Sequence, residues 1–149
     1  MTPSLSGRIQ TRLLLFLVLG LPITLFWSWY LAVRPATLAA TPFLVILSIL
    51  IVGLLLDPIY IQSQRYRWDR DWPFAYQLAS MIFEFLIVLL LIASNILPFL
   101  PSSLLAPPNA LTNIVLHFTS VLVPSFLSLL GFVQIFFLRW KYDAGELTG

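Results

Sequence analysis

The sequence predicts an all-α integral membrane protein: four transmembrane helices in a compact bundle, forming a single domain over residues 1–149, with both termini cytoplasmic. Three observations predict it. Hydrophobic residues make up 60% of the chain and charged residues only 9%, against about 25% charged in an average soluble domain. Four continuous Leu-rich runs each reach the about 20 apolar residues that a helix needs to cross the hydrocarbon core. The basic residues fall on alternate connections, as the positive-inside rule requires. Transmembrane strands are excluded, since they are about 10 residues long and alternate apolar with polar. In hydrocarbon the backbone must satisfy itself, which makes each run helical.

The first run, residues 13–33, follows Arg8 and Arg12. A cleaved signal peptide is the alternative, but its apolar core spans about 7–15 residues and this one is longer. Trp27, Trp29 and Tyr30 near its far end are placed like interfacial anchors. Pro22 removes one helix hydrogen bond and predicts a kink. Gly20, Thr24 and Ser28 recur every four residues as a small-residue packing stripe. The second run, residues 38–56, begins at Thr41-Pro42, read as an N-cap with Pro at the first helical position. It ends at Asp57-Pro58. With only Ser48 and Gly53 as small residues, it is expected to be the most lipid-exposed span.

The third run, residues 74–97, opens after Asp71-Trp72-Pro73, with Asp71 as the cap. The fourth, residues 110–138, opens after Asn109 and carries Pro124, a second expected kink. Seven of the eight basic residues fall on one side if both termini and the connection 57–73 are cytoplasmic, and one if they are not. No internal repeat suggests an inverted-repeat transporter.

Candidate site residues lie inside the spans. Glu84 is the only acidic residue within a run, about 15 Å from the cytoplasmic start of span three. A charged side chain at that depth costs about 3 kcal/mol on insertion scales. His117, the single histidine, lies about 10 Å from the other face, so antiparallel neighbours could bring the two within reach. Gln77, Ser80 and Asn95 on span three and Asn113 on span four are read as the supporting polar face. Asn95 is placed there by its eleven-residue separation from Glu84, close to three helical turns. Three readings of the Glu84–His117 pair stay open. They are a hydrogen-bonded packing contact, a proton-responsive pair, or His117 as a ligand to a porphyrin or chlorophyll metal.

The cytoplasmic connection, residues 57–73, concentrates the chain's charge. Arg65, Arg67, Trp68, Asp69, Arg70, Asp71 and Trp72 are read as an interfacial docking loop for a partner protein or lipid headgroups. Its small net charge and membrane anchorage argue against nucleic acid. The opposite connection, residues 98–109, is uncharged, apolar and rich in proline. It is expected to lie in the interface or under another subunit.

Cysteine is absent, which removes disulfides and thiolate metal sites, and a single histidine builds no multi-histidine metal site. HExxH, GxSxG, Walker A and GxGxxG motifs are all missing, so no catalytic residue and no metal site is proposed. The functional expectation is a non-enzymatic accessory, assembly or scaffold subunit of a larger membrane complex. Its partners would be the lipid bilayer and other membrane subunits, as a homo- or hetero-oligomer. The alternatives are a small oligomeric proton-coupled transporter or channel using Glu84 and His117, and a pigment- or haem-contacting subunit acting through His117. The expected location is a bacterial plasma membrane or an energy-transducing internal membrane.

Overall fold

The computed structural model describes residues 4–32, 40–66, 73–96, 98–137 and 147. Among them the only regular structure is helical. Four helices, α1 (Leu5–Ala32), α2 (Thr41–Arg65), α3 (Phe74–Ala93) and α4 (Ala110–Phe136), are long and apolar enough to cross a membrane. Large apolar side chains such as Leu17, Phe26, Leu55, Leu90, Leu116 and Leu127 point outward from all four. That is the inverse of a soluble bundle and the arrangement lipid favours.

Helix α1 starts at residue 5 rather than 13, with the Ser4 hydroxyl accepting the Gly7 N–H at 3.0 Å as its cap. Arg8 and Arg12 therefore lie within the helix, not ahead of it. Ahead of Pro22 the helix widens into a five-residue π segment, Phe16–Gly20, with the Leu21 N–H bonded to the Phe16 carbonyl. A wider turn accommodates a proline ring without exposing backbone groups to lipid.

Helix α2 departs most from expectation. It does not stop at Asp57-Pro58 but continues to Arg65, so residues 57–65 of the expected loop are helical. Proline removes one backbone hydrogen bond, and the fully buried Asp57 side chain finds partners on α1. Nor is α2 the most lipid-exposed span. It packs against α1, α3 and α4 and buries Val45, Ile46, Ser48, Gly53 and Asp57. Thr41 is its first helical residue and supplies no side-chain cap.

Helix α3 ends at Ala93. Asn95 follows in the left-handed region (φ 52°). The next connection folds back onto the bundle through a short turn, Ser102–Leu105. Leu100 is fully buried beside Val45, Phe85, Val88, Ile92 and Ile114, and Leu104 and Leu105 pack against the same cluster. Part of the apolar loop thus belongs to this chain's own core and needs no second subunit to cover it. Asn109 precedes α4 with φ 67° and no side-chain cap. Pro124 sits inside the helix, and Gly131 interrupts it before a last turn, Phe132–Phe136. Leu147 packs on the Leu15–Leu129–Val133 cluster and donates its N–H to Gln10 Oε1 at 2.7 Å, so the two ends of the chain meet at one end of the bundle.

Candidate functional site

Helical spacing builds the site. Arg8 and Arg12 are four residues apart and share a face of α1, as Gly53 and Asp57 do on α2. Where those faces meet, both guanidinium groups converge on one carboxylate. Arg8 Nε donates to Asp57 Oδ1 at 3.0 Å. Arg12 donates to Asp57 through Nε (3.2 Å) and Nη2 (3.0 Å). The rest of the Arg12 fork is used by α3: Nη1 donates to Glu84 Oε2 at 2.7 Å and Nη2 to Glu84 Oε1 at 2.9 Å. Asp57 is 0% exposed and Glu84 1%. The Arg8 guanidinium also lies 5.1 Å from the centre of the Tyr60 ring, a cation–π contact.

Two features let this cluster exist. Among the described residues its formal charges cancel, two arginines against two carboxylates, which limits the penalty of burying them. Both Arg12 pairs are bidentate, the geometry in which guanidinium and carboxylate match best. Gly53 provides the space: a Cβ there would fall on the Arg12 guanidinium and lie 2.7 Å from Glu84 Oε2.

The second polar centre lies towards the other end of α1. His117 on α4 is 3% exposed. Its Nε2 is 3.0 Å from Thr24 Oγ1. Trp27 meets the imidazole edge-on, ring centres 6.0 Å apart, and donates through Nε1 to Ser120 Oγ at 2.8 Å. Ser120 in turn donates to the His117 carbonyl at 2.7 Å. His117 Nδ1 is buried with no hydrogen-bond partner.

Glu84 and His117 are thus each held by a different residue of α1, and no hydrogen bond or ion pair joins them. Their anchors, Arg12 and Thr24, are twelve residues apart, about 18 Å along the helix. Both nevertheless line one cavity of about 100 Å³ among the four helices. Gln77 lines it too. Ser80 is buried and donates to the Gln77 carbonyl of its own helix at 2.8 Å. Asn113 lines a smaller cavity of about 20 Å³, which His117 also borders.

Asn95 does not join the polar face. Helix α3 ends before it, so the eleven-residue periodicity no longer applies. Its side chain is exposed and its Oδ1 accepts the Ser102 N–H at 3.1 Å. Of the docking loop, Arg65 is exposed at the end of α2. Arg67, Trp68, Asp69, Arg70, Asp71 and Trp72 lie outside the described residues. A pigment outside the bundle would reach His117 only if the ring left Thr24 and its buried position.

Sequence reasoning missed Arg8, Arg12 and Asp57 as site residues. One signal pointed to them: Gly53, Asp57, Tyr60 and Gln64 continue a helical stripe of small and polar positions straight through Pro58.

Removing the Thr24 hydroxyl isolates both imidazole nitrogens. Thr24→Val, close in shape, is expected to destabilise the protein by about 1–3 kcal/mol, the cost of a buried unsatisfied group. Thr24→Ser is expected to stay near the parent. Thermal unfolding in detergent reads the difference.

Comparison with protein-family models, with curated proteins and with solved structures found no match to this chain.

Proposed function

We propose that this chain is a non-enzymatic multi-pass membrane protein, an accessory or scaffold subunit of a larger membrane complex. One observation carries the reading. Among the described residues, the charged groups Arg8, Arg12, Asp57 and Glu84 are paired with one another inside the bundle. A relay through Glu84 would need a carboxylate free to exchange its proton. Here both oxygens are held by Arg12, which favours a fixed packing element over a proton pathway.

The proposed topology puts both termini and residues 66–73 on the cytoplasmic side of a bacterial plasma membrane or an energy-transducing internal membrane. In its favour are the distribution of basic residues and the contact between Leu147 and Gln10, which brings the two ends together. Solubilised in mild detergent at native abundance, the protein is expected to migrate in a stable heteromeric particle. Recovery solely as a monomer would overturn the reading. Single cysteines introduced at positions 2, 68 and 148 are expected to be shielded from an impermeant thiol reagent in sealed right-side-out vesicles. Labelling of position 68 alone would refute the topology.

A further inference from the structure

The subunit role leaves the cavity among the four helices without a purpose. We infer that it binds one small, neutral, bilayer-soluble molecule whose ring-sized body carries a hydrogen-bonding oxygen, the chemistry of a quinone or phenol head.

The cavity draws its walls from all four helices, among them Phe16 and Gly20 on α1, Ile49 on α2, Met81 on α3 and Val121 on α4. Its volume of about 100 Å³ far exceeds one water. An engineered cavity of about 150 Å³ with apolar walls admits benzene, and this one is smaller, so a single six-membered ring is the upper limit of what it takes. Sites between the helices of a bundle are a common location for small ligands. The π segment Phe16–Gly20 forms part of the α1 wall, and such segments recur at functional sites.

Charge and polarity narrow the chemistry. Arg12 and Glu84 border the cavity, but their charges are committed to each other. The walls therefore offer an ion no uncompensated counter-charge, and a neutral molecule fits. Two lining residues carry hydrogen-bonding groups that are not engaged among the described residues. His117 Nδ1 is buried and unpartnered, and no hydrogen bond engages the Gln77 side-chain amide among the described residues. Because Nε2 is tied to Thr24, Nδ1 is a donor in one tautomer and an acceptor in the other. A ring carbonyl satisfies the first and a phenolic hydroxyl the second. The remaining wall is largely apolar, which suits a ligand that arrives from lipid.

The test uses the full chain in lipid nanodiscs. The probes are a benzoquinone with one isoprene unit and 4-methylphenol, with benzene as the apolar control. Trp27, edge-on to His117, serves as a fluorescent reporter in a chain whose other four tryptophans are changed to phenylalanine. Saturable quenching or heat uptake at one probe per chain is expected. Binding is expected to weaken at least tenfold in His117→Leu and to vanish in Val121→Phe, which adds a ring at a cavity-lining residue that takes no part in the His117–Thr24 contact. Non-saturating uptake that is equal in the parent and Val121→Phe would overturn the proposal. So would benzene binding as tightly as the oxygenated probes with no loss in His117→Leu. If His117→Leu fails to fold, the Val121→Phe and benzene comparisons decide. None of these outcomes bears on whether the chain co-purifies in a complex, so the two readings fail separately.

Discussion

Asp57→Ala is expected to destabilise the protein by about 3–5 kcal/mol, the range for breaking a buried ion pair from one side. Asp57 is fully buried and accepts three hydrogen bonds from two arginines. Without it, Glu84 is the counter-charge that remains to Arg12 among the described residues. Asp57→Asn keeps the shape but loses the charge and one acceptor oxygen, so a smaller loss is expected. A second change separates charge balance from simple loss of contact. In Asp57→Ala combined with Arg8→Leu, one cation again faces one anion, and part of the lost stability is expected to return. Equilibrium unfolding in detergent mixtures reads all three variants. A double variant less stable than the sum of its single changes would refute the charge-balance account.

Gly53→Ala is the second large effect, although it adds one methyl group. That methyl would occupy the space of the Arg12 guanidinium. A flexible arginine tip normally moves aside at little cost. This one is tied by four hydrogen bonds to two buried carboxylates, so displacing it breaks ion pairs. The expected loss is about 2–4 kcal/mol, below that of removing a partner outright. The cause predicts strong coupling. In an Arg12→Met background the same substitution is expected to cost less than about 1 kcal/mol, and a double-mutant cycle measures the difference. Equal costs in the two backgrounds would show that Gly53 matters for some reason other than Arg12.

The contrast between these sites and the sequence reading has a physical cause. Four apolar runs were legible because hydropathy over about 20 residues is a strong signal. Positions where a charge enters a helix were not legible, because each depends on a partner far away in the chain. Arg8 and Arg12 read as flanks in water or headgroups until Asp57, 45 residues beyond Arg12, and Glu84, 72 beyond it, are seen to meet them. Asp57-Pro58 reads as a terminator on local grounds alone, yet one lost backbone bond is a small defect beside the contacts that Asp57 makes. Glu84 and His117 were recognisable as buried polar residues from depth, but depth does not say which neighbour each will choose. Asn95 shows the opposite error. A periodicity argument was extended past the point where the helix stops.

The charge cluster also constrains how the protein is made. Arg8 and Arg12 emerge from the ribosome first, Asp57 follows in α2 and Glu84 only in α3. When the first two helices alone have been synthesised, two cations share one anion, and the N-terminal segment has reason to stay near the headgroups. The cluster is therefore complete only when α3 is present, because Glu84 holds both terminal nitrogens of Arg12.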